Sequence, residues 1–431
     1  MRREKIVVIE AISSSVNYIS DIRDMGYEPI LLERWVSEER REDRRKWHDN
    51  YYALNGDTMP EIIMASQSYK DILALMKKID PILILPGADH AVYLATSLSA
   101  DMGLPCNDSK NLDAMISKDD MQYALKKAGL RYIDTVTIYD LEDALQFFRK
   151  KGKKSVIVKP QCGSATVGVT RCYSEEDIVA AVENIKRFFG GADIRGAVVI
   201  QEYIDGVEYV IDTISSNGKH RTIFSMKYEK QFLDRSHKIY DTDEYIDSGA
   251  EEYKYLSDYM YRVLDAIGIS YGPVHSEIMV DENGPVLVEI NCRPAGASVK
   301  RSFQDRVLGC HETREALEAY LYPESFPEKI RKFGRYGQLI CPAMVKNMIM
   351  PDDVFVKHLK YKETAGKLAS FVYMLTNGEN CVYKKTVDLN SAAGMIYLAN
   401  EDENQLKKDC NYLKWLEKND LSALYEYQSI Y

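Results

Sequence analysis

Residues 272–296 alternate apolar side chains with side chains that can do chemistry. The loop Glu282-Asn-Gly284, three residues with a glycine, predicts a hairpin turn. Pairing about Asn283 sets Glu277 opposite Glu289 and His275 opposite Asn291, with Arg293 two positions further on. Ile278, Val280, Val286, Val288, Ile290 and Cys292 then form the other face, which reads as core. Directly opposed side chains in an antiparallel pair have Cβ atoms roughly 4.5–5.5 Å apart, and like charges there repel. Two carboxylates so placed need a positive charge between them. A hard divalent cation with oxygen ligands supplies it, and magnesium usually brings nucleotide phosphates with it. The plain alternative is a solvated polar face with Arg293 as counter-ion.

Two further stretches could hold such phosphates. The predicted strand 155–160 carries Lys159 at its end and runs into a loop of small residues, 161–170. Small residues let backbone N–H groups approach phosphate oxygens closely. Gly163 and Gly168 have the glycine spacing of a P-loop, but Val169 stands where that motif requires lysine, so the motif fails. Cys162 in this loop has no paired base and reads as packing. Downstream, residues 198–212 predict a strand, a tight connection at Asp205-Gly206 and a second strand. Such a connector can offer backbone groups of Glu202 and Ile204 to a base edge, with Glu208 reaching sugar hydroxyls. An ordinary hairpin with exposed acids fits the same residues.

The elements that must position these groups fall into three stretches. Residues 5–9 predict a buried strand, 15–25 a helix ending at Gly26, and 28–32 a second strand. After the charged run 38–46, read as a solvated helix or loop, residues 69–78 predict a helix, 81–85 a strand and 92–102 a helix closed by Gly103. This alternation predicts a doubly wound parallel sheet. It lacks the G-x-G-x-x-G that would mark a dinucleotide site. His90, after the turn Pro86-Gly-Ala-Asp89, is expected to cap the following helix. From about 117 to 300 the pattern becomes strands with long hairpins plus helices, including a helix over 253–267. Residues 323–335 read as a linker. Beyond it a small α+β unit is expected, with strands near 337–341, 370–375 and 393–398 and a helix near 403–417.

At 431 residues the chain is long enough for two or three domains. Its net charge of −10 argues against nonspecific nucleic-acid binding, which needs a basic stripe. The apolar run Ile6-Val-Val-Ile9 is too short to be a signal h-region or a membrane span, and none of the eight cysteines has CxxC spacing. A cytoplasmic location is therefore expected, with no membrane partner.

The order Lys118, Lys159 with its small-residue loop, the connector from Gln201 to Glu208, then Glu277, Glu289 and Asn291 resembles that of the ATP-grasp superfamily of carboxylate–amine ligases. The most specific parts are Glu277…Glu289-x-Asn291-x-Arg293, and Pro86-Gly-Ala-Asp89 followed by Gly103-Leu-Pro-Cys-Asn-Asp108. The latter is similar to the N-terminal domain of dipeptide-forming L-amino-acid ligases. The resemblance implies an N-terminal α/β domain over 1–116. A central ATP-grasp fold of two α+β subdomains would follow over 117–325, its lid at about 117–204, then a C-terminal α+β domain over 326–431. It implies ATP and Mg2+ as cofactors, two ions, with Mn2+ as an alternative. Lys118 and Lys159 would hold phosphates, and Ser164 would sit in the lid over them. Gln201, Glu202, Tyr203 and Ile204 would line the adenine site, and Glu208 would bind ribose. Glu277, Glu289 and Asn291 would hold the metal. Arg293 would grip the substrate carboxylate, with His275 a candidate beside it, and Lys227 and Lys230 are equal candidates for a further phosphate contact. The implied activity joins a small amino-acid-type carboxylate to an amine through an acyl phosphate, releasing ADP and phosphate. A ligase tailoring a ribosomal peptide is the alternative; a biotin-carboxylase-like enzyme and a non-catalytic nucleotide-binding protein fit less well. The family often forms homodimers, and no residue pattern here bears on that.

Overall fold

The computed structural model describes residues 3–33, 58, 60–66, 68–161, 168–188 and 197–430. The charged run 38–46, Cys162 and Ser164 lie outside these described residues. Strands β1 (Lys5–Ile9), β2 (Glu28–Glu33), β3 (Glu61–Met64) and β4 (Leu83–Pro86) form an all-parallel sheet in the order β3-β2-β1-β4. Continuous Ile, Val and Leu runs are what a parallel sheet covered on both faces requires, and β1 and β4 are buried almost throughout. β3 escapes sequence detection because it is a four-residue edge strand, none of it fully buried. Gly103, at φ +69°, ends the helix Val92–Met102 in the left-handed region, as its sequence position suggests.

A second sheet holds β5 (Thr135–Ile138), β6 (Val156–Pro160), β7 (Thr170–Cys172) and β8 (Val198–Glu202), antiparallel in the order β5-β8-β6-β7. The helices Leu141–Lys150 and Glu175–Phe188 cover one face, burying Phe147, Phe148, Ile178 and Ile185 against Val156, Val158, Val198 and Ile200. Asp140 and Asp143 start the first of these helices with a reciprocal capping box.

The largest sheet is built from β9 (Val207–Ser216), β10 (Lys219–Phe232), β11 (Lys238–Tyr245), β12 (Gly272–Asp281) and β13 (Gly284–Asn291). The chain continues through β14 (Ala343–Met348), β15 (Val354–Leu359), β16 (Phe371–Thr376), β17 (Cys381–Tyr383), β18 (Gly394–Ala399) and β19 (Tyr425–Ser429). The eight-stranded order is β13-β12-β9-β10-β11-β14-β18-β16, so three C-terminal strands extend the central sheet. The other three make a small sheet, β17-β15-β19. Residues 337–341, expected as a strand, are irregular, and the strand begins at Ala343. The expected linker contains a helix, Phe326–Phe333, with proline in its first turn where the missing N–H costs nothing.

Two local departures shape the site. β8 and β9 belong to different sheets, so the Asp205-Gly206 connection is a bridge between them and not a hairpin. Gly206 is required there because a Cβ would strike the Val280 carbonyl. The β12–β13 hairpin pairs His275 with Asn291 and Glu277 with Glu289, as expected, but the register shifts before Ile278, which faces Leu287. Only Glu282 and Asn283 make the turn, and Val288 is the extra residue of a β-bulge. The bulge turns Leu287 into the core beside Ile278 and Ile290, and leaves Val288 lining a cleft with Glu289.

Candidate active site

The carboxylates of Glu277 and Glu289 form a floor between two chambers, and both residues line both of them. Lys118 comes to this floor from the first turn of the helix Lys118–Lys127, which Ser117 caps by accepting from the Asp120 amide. Its Nζ lies 2.9 Å from Glu289 Oε2. The Asn291 amide stands 3.5 Å from Glu289 Oε1. Lys159, 5% exposed at the end of β6, faces the same cleft from the opposite sheet. Burial, and then repulsion from Lys118, bring its ammonium down to about 8. Burial alone would raise both carboxyls, but Lys118 and Lys159 pull Glu289 down to about 2. Glu277 is pushed up to about 7, by burial first and then by Glu289 and Glu208.

The first chamber lies between the two antiparallel sheets. Ile133, Ile157, Met279 and Val288 give it apolar walls, and Gln201, Glu202, Tyr203 and Ile204 lie along it. Gln201 is buried and donates to Thr135 Oγ1 at 2.8 Å. The Glu202 side chain turns away to Lys151 Nζ at 2.9 Å and the Asp134 amide at 3.1 Å, which leaves its backbone as the part that faces the chamber. Arg171 lies over the Tyr203 ring, 3.4 Å from the centroid, and closes that end. Glu208 pairs with Lys230 at 2.7 Å. Lys230 follows Met226 and Tyr228 on the site-facing side of β10 by plain strand alternation, whereas Lys227 is exposed on the other side, so of the two candidates Lys230 reaches the site.

The second chamber joins the parallel sheet to the large one. The guanidinium of Arg293 grips Asp89, with Nε 2.9 Å from Oδ1 and a terminal nitrogen 3.0 Å from Oδ2, and also donates to the Pro294 carbonyl at 2.9 Å. His275 faces the same space and holds Asp212 through Nδ1 at 2.8 Å. The expected cap at His90 is not made; its ring sits 3.4 Å from the Glu10 carboxylate. Phe224, Met226, Tyr245 and Val345 give the chamber its apolar lining.

Residues 153–301 match the family described as ATP-grasp domain. The chain carries an ATP-grasp domain. Over 430 residues it is 25% identical to dapdiamide A synthase of Enterobacter agglomerans, with 94% of each chain covered. D-alanine–D-alanine ligase A of Bacillus cereus is 25% identical over 231 residues, 52% of this chain and 73% of that one. The crystal structure of L-amino acid ligase from Bacillus licheniformis shares the fold, with a TM-score of 0.74 at 14% identity and 100% of both chains covered.

The floor of this ATP-grasp domain fits a divalent cation. Glu277 is a half-buried carboxylate facing Glu289 and Glu208, and burial together with those two acids pushes it up to about 7. Among the described residues no three His, Cys, Asp or Glu side chains gather round a metal position. Two carboxylates and one amide would therefore supply part of a hard ion's oxygen shell, with phosphate and water completing it. Sequence reasoning assigned no role to Asp89, although it flagged its turn, and it missed Tyr228, Tyr240, Asp243 and Asn347 altogether. β11, an acid-rich strand carrying Asp241, Asp243 and Glu244, offers no apolar alternation by which to find it. Among the described residues no helix is long and apolar enough to cross a membrane.

Proposed function

We propose that this protein is an ATP- and magnesium-dependent ligase that activates a small amino-acid-type carboxylate and joins it to an amine, forming an amide or dipeptide. The observation that carries this is the shared floor: the two chambers meet at Glu277 and Glu289, where a phosphate and a carboxylate can be brought together. The kinship with dapdiamide A synthase and D-alanine–D-alanine ligases supports the same class of reaction. The N-terminal domain would span 1–116, the ATP-grasp domain 117–325 and the C-terminal domain 326–431.

A carboxylate does not react with an amine in neutral water, because its leaving group would be oxide. Transfer of the γ-phosphoryl group to a carboxylate oxygen gives an acyl phosphate and ADP. The amine then attacks the acyl carbon, phosphate leaves with the C–O bond electrons, and the amine's proton is lost to give the amide. Glu277, Glu289 and Asn291 would hold magnesium, as two ions, with manganese as an alternative. A divalent cation held there would supply positive charge against the phosphates. Lys118, now the counter-ion of Glu289, would turn to a phosphate oxygen once that carboxylate holds a cation. Lys159 and Lys230 would hold further phosphate oxygens. The backbone of Glu202 and Ile204 would receive the adenine edge, with Gln201 and Tyr203 beside it and Glu208 toward the ribose. Arg293, fixed by Asp89, would present its remaining N–H groups to the substrate carboxylate, in line with the transferred phosphoryl group. His275 would border that carboxylate.

The test is ADP release from magnesium ATP against single and paired amino acids, with mass spectrometry for a new amide. Release that needs a pair, with amide in equal amount, is the expected result. Turnover with a precursor peptide alone would favour the peptide-tailoring reading. Arg293→Ala should lower turnover by about 100-fold or more while ATP binding persists; unchanged turnover would remove Arg293 from its role.

A further inference from the structure

Amide formation leaves one proton without a destination. An amino group in neutral water is an ammonium ion, which has no lone pair to attack with. A base in the second chamber must take that proton, and none of the groups assigned above does so.

The carboxyl ends of β1 and β4 hold a histidine–carboxylate pair with no role in the steps above. Successive strands run outward from β1 to β3, and β4 then returns to the other side of β1. In open α/β sheets, ligands bind in the crevice outside such a switch point. Glu10 follows β1 there, 1% exposed and at φ +58°, a region that residues with a Cβ rarely adopt. Gly87 follows β4 and donates its amide to the Ile9 carbonyl at 2.8 Å. A Cβ at Gly87 would stand 2.5 Å from the Glu10 carbonyl oxygen, so the two strand ends pack backbone to backbone. The 3-10 turn Asp89–Ala91 starts here and puts His90 Nε2 3.4 Å from the Glu10 carboxylate. The His90 side chain is 36% exposed where that of Glu10 is fully covered, and it lines the second chamber with Asp89 and Arg293.

Such a pair suits a base. A carboxylate facing Nε2 favours the tautomer with its proton there, which leaves the lone pair on Nδ1. The same carboxylate stabilises the imidazolium that forms when Nδ1 takes a proton. Asp89, one residue before His90, clamps Arg293, so a carboxylate gripped by Arg293 would bring its acyl carbon near the imidazole. His275, the chamber's other histidine, stands instead on β12 with Glu277, on the side where the phosphate would be held.

We propose that His90, positioned by Glu10, is the base for the attacking amine, an inference that rests on the ligase reading. The ammonium gives one proton to Nδ1, and the freed lone pair forms the C–N bond. The bond from the acyl carbon to the phosphate oxygen breaks, and its electrons leave with phosphate. The second proton lost from nitrogen goes to that phosphate, and the imidazolium releases its own to water.

The experiment compares two nucleophiles on the full chain, using a pair of substrates that supports ADP release. One is the amine of that pair. The other is hydroxylamine, which is uncharged at neutral pH and traps the acyl phosphate as a hydroxamate. His90→Gln should slow amide formation by about 100-fold or more and spare hydroxamate formation. Glu10→Gln should show the same selectivity in smaller measure. ATP binding serves as the folding control for both variants. Equal loss with the two nucleophiles in His90→Gln, or loss with neither, would overturn the base. If the wild type releases ADP with no amino-acid pair and not with hydroxylamine, the ligase reading itself fails, and the base with it.

Discussion

Glu277 and Glu289 share one strand pairing and yet ionise at opposite ends of the acid range. The difference comes from their neighbours: Glu289 has Lys118 and Lys159, whereas Glu277 has burial and two other carboxylates. Its ordinary value is 4.5 and its folded value about 7, so ionising it costs the folded state increasingly as pH rises through that window. In cation-free protein Glu277→Gln should therefore stabilise at pH 8, by on the order of 1–3 kcal/mol, and have little effect at pH 4. Glu289, held at about 2, contributes stability above its ordinary value that disappears as pH falls toward 2. Glu289→Gln should accordingly destabilise at pH 8. Denaturant unfolding at the two pH values checks both signs; the same sign for both variants at pH 8 would contradict the assignment. At this scale the sequence was informative because strand alternation survives between His275 and Glu277. It was silent where one bulged residue intervenes, which is why Val288 was placed on the core face.

Elements deliver these residues from four directions, and the connections matter as much as the strands. The β8–β9 bridge passes so close to β12 that Gly206 has no room for a side chain. Gly206→Ala should push the bridge off the Val280 carbonyl, lowering stability by about 1–3 kcal/mol and raising the KM for ATP. Thermal unfolding and ADP-release kinetics measure the two effects; a variant matching the wild type in both would show that the bridge tolerates displacement. Buried runs such as β1 and β4 were legible because burial on both faces leaves a continuous apolar signature. Short or acid-rich strands such as β3 and β11 were not, since packing against neighbours, which one sequence does not display, is what makes them strands.

Over the whole molecule, the continuous eight-stranded sheet ties the C-terminal strands to the strands that form the site. Lys346 on β14 is fully buried and pairs with Asp241 of β11 at 2.8 Å and with Glu417 of the helix Glu403–Asn419 at 2.5 Å. Removing it leaves Glu417 without this cation and Asp241 with Lys414 at 3.4 Å, so Lys346→Ala should cost roughly 3–5 kcal/mol. Hydrogen exchange should then quicken in β10 and β11 as well as in β14 and β18. Quickening confined to the C-terminal strands would show that the sheet does not unfold as one. This continuity was not legible in the sequence, because β11 joins β14 across about a hundred residues and β14 joins β18 across about fifty. All of this geometry serves one claim, that a carboxylate is activated by phosphoryl transfer over the Glu277–Glu289 floor. Its most direct test is to label the carboxylate substrate of an active pair with oxygen-18 and analyse the released phosphate by mass spectrometry. One labelled oxygen in each phosphate is the predicted result; phosphate without label would contradict it.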